Sequence, residues 1–195
     1  MFFKNKDDRI TDFFELSVEN KMAISDDFGD WLKENGFFDA PASTKYHGNY
    51  SGGLYDHSRC VFDRLAKLTD DNNLKWMRPQ SPFIVGMFHD LCKYDQYIPI
   101  MDNEYEHEKG KLTMTTRISG FDHNKNTLIK GHGTKSVMLL SQFITLTEEE
   151  MLCIRYHMGP YEKEEWTELD MAIRKYQNVY WTHAADMLAS KVDGI

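Results

Sequence analysis

The sequence lacks any apolar run near the ~20 residues needed to span a bilayer, which excludes a membrane-helix reading. Its opening, MFFKNKDDRITDFFEL, has aromatics but no apolar h-region or small-residue cleavage site, so it does not read as a secretory signal. Cysteine is scarce. Cys60, Cys92 and Cys153 are odd in number and form no C-x-x-C pair, which excludes a disulfide framework and fits reduced thiols in a cytoplasmic protein. Each lies three or four residues from a histidine and reads as a small buried hydrophobe on the same helix face. No lysine/arginine cluster stands out, and the net charge is −8. A polyanion-binding surface needs a basic stripe, so stable binding to duplex nucleic acid is disfavoured, whereas a small anionic ligand needs only one or two cations. Repeats, low-complexity tracts and Pro/Gly/Ser linkers are also missing, and residues 1–195 read as a single domain. The patterns G-x-x-x-x-G-K-[ST], G-x-S-x-G and H-E-x-x-H do not occur, which removes the P-loop, the nucleophile elbow and the zincin helix.

What is present is helical periodicity. Residues 26–35 predict a helix with acidic residues in its first turn, followed by a loop over 37–54. Leu54, Val61, Leu65 and Leu68 recur at helical spacing and predict an amphipathic helix. Pro82 after Ser81 predicts an N1 proline behind a serine cap, opening a helix that runs through Asp90. Residues 98–130 differ: the turn-like EKGK at 108–111 and the alternating KLTMTTRIS predict a short β-hairpin or irregular insertion. Helices resume over 132–144 and again from Thr147, where Glu150 at N3 completes a capping box. Gly159-Pro160 ends that helix, and two more are expected over about 165–175 and 177–191. The expected fold class is all-α, a helical bundle with one small β excursion.

Five of these segments each deliver a histidine or aspartate near an apolar face: His57, His89-Asp90, His132, His157 and Asp186. A lone helical histidine is more often a hydrogen-bonded structural residue than a ligand, and Asp186 alone reads as a cap or ion-pair partner. Together they read differently, because a buried charge is costly unless it is paired or bound to a metal. Neighbours on a helix diverge by about 100°, so His89 and Asp90 can approach one ion from adjacent directions. Imidazole with carboxylate suits Mn, Fe, Co, Ni or Zn better than Ca.

The series His57 … His89-Asp90 … His132 … His157 … Asp186, spread over residues 46–190, resembles the H…HD…H…H…D signature of the HD-domain superfamily of metal-dependent phosphohydrolases. FHDLCK is similar to that family's HD-x-x-K stretch, YHMG to its HHG, and HAADMLAS to its closing helix. The segment 47-HGNYSGGLYDHS-58 resembles the entry to the HD domain of certain bacterial 3′–5′ exoribonucleases. Two departures are visible: Met158 stands where HHG has its second histidine, and no strand pattern matches the separate OB domain of those enzymes. The resemblance therefore implies a nucleotide or short oligonucleotide substrate rather than polymeric RNA.

It further implies an HD-type bundle in which His57, His89, Asp90 and Asp186 hold one divalent ion. Asp90 would bridge to a second ion bound by His132 and His157, the ions being Mn, Fe, Ni, Co or Mg. In such a pair, a bridging water of lowered pKa supplies hydroxide for in-line attack on phosphorus. Lys93 resembles the family lysine that contacts substrate phosphate, and with Asp90 it is the expected catalytic pair. His47, Lys135 and Arg155 are further candidates for substrate contact. The implied activity is a phosphomono- or phosphodiesterase. The alternatives are a di-iron oxygenase of the same superfamily, acting on a polyol or phosphonate, and a non-enzymatic ligand-binding module.

Overall fold

Helix ends and two close glycine contacts organise the chain, seen here in a computed structural model that describes residues 3–108, 111–129, 131–160 and 165–195. The first helix, α1 (Lys6–Glu19), was not anticipated; Asn5 caps it by accepting from the Asp8 N–H at 2.9 Å. Helices α2 (Asp26–Glu34) and α3 (Gly53–Asp71) match the expected segments, with Ser25 capping α2. Next come α4 (Ser81–Phe88), α5 (His132–Leu140) and α6 (Glu148–Tyr156), then α7 (Glu165–Lys175) and α8 (Asn178–Met187). The Thr147/Glu150 capping box is present at α6, and Gly159, at φ +74°, turns the chain away after it. None of the described helices is long and apolar enough to cross a membrane.

Four expected boundaries move. Ser81 is not the cap of α4: Gln80 holds that position, and Ser81 Oγ instead donates to the buried Glu150 carboxylate at 2.7 Å. This bond to a buried carboxylate is charge-assisted and stronger than a neutral capping bond. α4 also stops at Phe88. His89 forms its C-cap, Asp90 leaves helical geometry at φ −103°, ψ 16°, and a 3-10 turn follows over Leu91–Asp95. α5 ends at Leu140, short of the expected 144. α8 gives way after Met187 to a π-helical turn over Leu188–Asp193.

The insertion is a hairpin, and a long one. β1 (Tyr97–Glu108) and β2 (Lys111–His123) pair antiparallel from Tyr97↔His123 outward, with a register shift between Ile100 and Met101. Within the expected EKGK turn, Lys109 and Gly110 lie outside the described residues. Beyond the shift, Met101 pairs with Ile118 and Asp102 with Arg117, so alternation gives the hairpin an apolar and a charged face. Met101 is 53% exposed and Ile118 45%, so the apolar face lies on the surface and not in the core. The chain is thus mostly helical with one two-stranded sheet.

The core is an aromatic cluster drawn from α1 through α4. Phe13 meets Phe38 at 5.7 Å and Phe88 at 6.0 Å, and Phe28 meets Phe88 at 5.3 Å, mostly edge-to-face or tilted. The loop before α3 is tied down by a buried ion pair, Arg9 Nε to Asp56 Oδ1 at 2.7 Å, joined by the Tyr50 hydroxyl at 2.8 Å. Against this core α3 packs on α4, α5 on α6, and α8 on both α3 and α6. Gly86 lets α4 approach α3: a Cβ there would lie 2.6 Å from Phe62 Cα. Gly133 does the same for α5 on α6, where a Cβ would lie 2.3 Å from the Arg155 carbonyl oxygen. Backbone cannot yield as a flexible side chain can, so each contact requires glycine.

Gly86→Ala is expected to lower stability by about 1–3 kcal/mol, a fall in Tm on the order of 5 °C for a chain of this size. Gly120→Ala, with only an ordinary 3.8 Å contact to Ile100, serves as the control. Thermal and urea unfolding of the two variants measures this, and an unchanged Tm for Gly86→Ala would contradict the close-approach argument.

Candidate metal centre

The two glycines set up the site. With α4 against α3, His89 at the end of α4 reaches His57 in the middle of α3, their Nε2 atoms 3.3 Å apart. With α5 against α6, His132 at the start of α5 stands beside His157 at the C-cap of α6, ring centroids 5.4 Å apart. Asp90 lies between the two pairs and is 1% exposed. Its Oδ2 is 3.6 Å from His57 Nε2 and 3.5 Å from His89 Nε2. Its Oδ1 is 3.3 Å from His157 Nε2 and hydrogen-bonded to His132 Nε2. Asp186, from α8, places Oδ1 3.2 Å from His57 Nε2. Two sets of ligand atoms result, His57/His89/Asp90 and Asp90/His132/His157, each within 4.8 Å of one another and sharing Asp90.

The far side of each imidazole decides what the near side offers. His57 Nδ1 lies 2.8 Å from the Ile195 carbonyl oxygen, His89 Nδ1 2.8 Å from Gly86 O, and His157 Nδ1 2.6 Å from Ile154 O. A carbonyl oxygen only accepts, so each Nδ1 carries the proton, and in a neutral ring Nε2 presents a lone pair. Three lone pairs then converge on two carboxylates in a buried space. His157 Nε2 has no hydrogen-bond partner among the described residues. Such a donor set repels itself unless a cation sits among it, and imidazole nitrogen with carboxylate oxygen is a transition-metal set. The residues fit a metal.

Charges around the cluster follow from burial and proximity. Burial opposes ionisation of Asp90, but Lys93, His89 and His132 hold its carboxyl well below the usual range. Burial likewise works against the charge on Asp186, yet the surrounding imidazoles hold its carboxyl below the usual range. Lys93 is buried in the 3-10 turn with its ammonium 2.6 Å from Asp90 Oδ2, and that contact outweighs burial and raises its pKa. For His132, burial favours the neutral ring, yet Asp90 prevails and lifts it to about 9. His47 packs its ring 4.9 Å from that of His57; burial, the largest cause, and then the charge environment of the cluster push it down to about 4.

Of the residues singled out from the sequence, His57, His89, Asp90, His132, His157, Asp186, Lys93 and His47 meet at this cluster. Lys135 and Arg155 do not. Lys135 is ion-paired with Asp95 in a cavity on one side of His132. Arg155 is exposed, stacks 5.2 Å over Tyr156 and lines a second cavity on the other side. The supporting contacts are specified only by the fold. Cys92, read from the sequence chiefly as a small hydrophobe, places Sγ 3.4 Å from His132 Nδ1, and His183, one turn before Asp186, bonds the His157 carbonyl at 2.6 Å. The carbonyls of Gly86, Ile154 and Ile195 were invisible in the sequence, because any residue type supplies one. Comparison with family models, with curated proteins and with solved structures finds no match to this chain.

Protein purified without chelator is expected to carry about one to two transition-metal ions per chain, and Asp90→Ala to lose them. Elemental analysis decides this, and full occupancy in the variant would remove Asp90 from the site. A second expectation concerns protons. His132 titrates at about 9 in the metal-free fold against an ordinary 6.5, so its pairing with Asp90 stabilises that fold below pH 6.5 and is lost through pH 9. Ligation needs the neutral ring, so metal uptake at pH 7 should release about one proton, falling toward none above the His132 pKa. Calorimetry in buffers of different ionisation enthalpy reads this directly, and a buffer-independent heat would contradict it.

Proposed function

We propose that the chain is a metal-dependent phosphohydrolase of the HD type, cleaving a phosphoester of a nucleotide or short oligonucleotide. One observation carries the reading: residues from five separate elements converge on a buried carboxylate with three imidazole lone pairs aimed at the same space. The order of those residues along the chain resembles the HD superfamily signature, which is what links the cluster to phosphoester chemistry. Two metal ions are the assignment, one on His57, His89, Asp90 and Asp186 and one on Asp90, His132 and His157. Bound there, divalent ions supply an acidified water and neutralise phosphate oxygens.

The chain's own residues do the rest. Asp90 and the carbonyl-anchored imidazoles fix the donor positions before any ligand arrives, so little reorganisation is left for binding. Lys93 stays charged although it is buried, and its role is to hold a phosphate oxygen as a point charge. His47, neutral at physiological pH, offers a ring nitrogen beside His57; its Nδ1 is buried with no hydrogen-bond partner among the described residues, which suits a ligand contact. Lys135 and Arg155 line the cavities to either side of His132, where the rest of a substrate would extend. In the reaction, water adds to phosphorus, the ester P–O bond breaks, and the leaving oxygen takes up the proton that water gives up.

Phosphate release from nucleotides, and mononucleotide release from dinucleotides, with Mn²⁺ tests the reading; dioxygen consumption without either product would overturn it in favour of oxygenase chemistry. Lys93→Ala should retain its metals and lose roughly tenfold to hundredfold in kcat/KM, the value of one charge-assisted hydrogen bond. Activity within about twofold of the parent would take Lys93 out of substrate binding.

A further inference from the structure

A cavity of about 410 Å³ opens beside the metal centre, within the size range of small-ligand sites. Cys92 and His132 form its inner wall, so it is continuous with the cluster through a candidate ligand. Its other walls come from the foot of the hairpin and from α5, and they carry Gln96, His123, Lys125 and Lys135. Among the described residues no aspartate or glutamate lines it, in a chain whose net charge is −8. A lining that carries lysine and no carboxylate favours an anion.

The two lysines are not equivalent. Lys135 is buried, ion-paired with Asp95 and 5.4 Å over the Tyr94 ring, so its charge is largely spent within the protein. Lys125 is exposed at the rim and enters no ion pair among the described residues. Its backbone is nevertheless held. The preceding Asn124 donates its main-chain N–H to the Gln96 carbonyl at 2.9 Å and its side-chain amide to the Asp95 carbonyl at 2.8 Å. Thus a lysine with no carboxylate partner among the described residues is fixed at the mouth of a cavity that shares a wall with the metal centre and has no carboxylate in its described lining.

We infer that this cavity binds a second phosphate group of the substrate, with Lys125 as the residue that selects for it. Resting on the phosphohydrolase reading, this narrows the substrate class to nucleotides that carry a phosphate beyond the one cleaved, such as a nucleoside bisphosphate or a dinucleotide with a terminal phosphate. The hydrolysed phosphate sits at the metal centre, and the one left intact sits against Lys125.

Equilibrium binding of adenosine 3′,5′-bisphosphate and of adenosine 5′-monophosphate to the as-purified protein tests the inference. The bisphosphate should bind about tenfold tighter or better, and Lys125→Glu should abolish that margin while leaving monophosphate affinity within about twofold. Lys125→Ala should give an intermediate loss, and the Tm of both variants should match the parent because the side chain is exposed. Equal affinity of the parent for the two ligands, no binding of either, or an equal loss for both in Lys125→Glu would overturn it. Phosphate release in the same mixtures judges the hydrolase reading separately. A bisphosphate bound with the expected margin but never cleaved would sink that reading and leave the phosphate subsite in place.

Discussion

Placing the Asp90 carboxylate inside a helical bundle costs several kcal/mol unless its charge is answered on every side. Lys93 and His132 answer it directly, while the Nε2 lone pairs of His57, His89 and His157 face the same space as donors for a cation, and much of the local structure is the means of bringing them there. Helix α4 has to stop at Phe88 so that His89 and Asp90 can turn inward together. The chain has to give up a side chain at Gly86 and at Gly133 so that two helix pairs can close on it.

The same economy appears in how the imidazoles are oriented. Helix ends leave their last carbonyls without N–H partners. His89 follows α4 directly and its Nδ1–H bonds Gly86 O; His157 follows α6 directly and its Nδ1–H bonds Ile154 O, in both cases three residues back. One hydrogen bond therefore finishes a helix and fixes a tautomer. A cap and a donor position are obtained from a single residue, twice.

Much of this arrangement was legible in the sequence, since polar titratable residues in apolar helical surroundings stand out wherever they occur. The helices bearing His57, His132, His157 and Asp186 followed from periodicity, and the Thr147/Glu150 box from its motif. Helix α1 escaped notice because KDDRITDFFELSVE spreads its buried positions, Arg9, Phe13, Leu16 and Ser17, over residue types that do not read as a stripe. Ser81 misled because its hydroxyl is claimed by Glu150, 69 residues away, and no local rule sees that far. Lys135 and Arg155 were read as candidates on charge alone, and charge does not say which side of a helix faces the cluster. The cavity residues Gln96 and Lys125 carried no motif and became meaningful only once the hairpin foot was placed.

The hairpin has its own thermodynamics. Two strands without a third gain little stability from pairing alone, and here Ile98, Ile100, Met101, Met114 and Ile118 remain exposed. Its tie to the bundle is the foot, where Asn124 clamps the chain to Asp95 and Gln96. Opening of the strands from their outer end would expose little that is buried, so their amides should exchange with solvent through local fluctuations long before those of α3 or α4. The bundle and its aspartate would be untouched by such events, whereas the wall that carries Lys125 stands one clamp away from them.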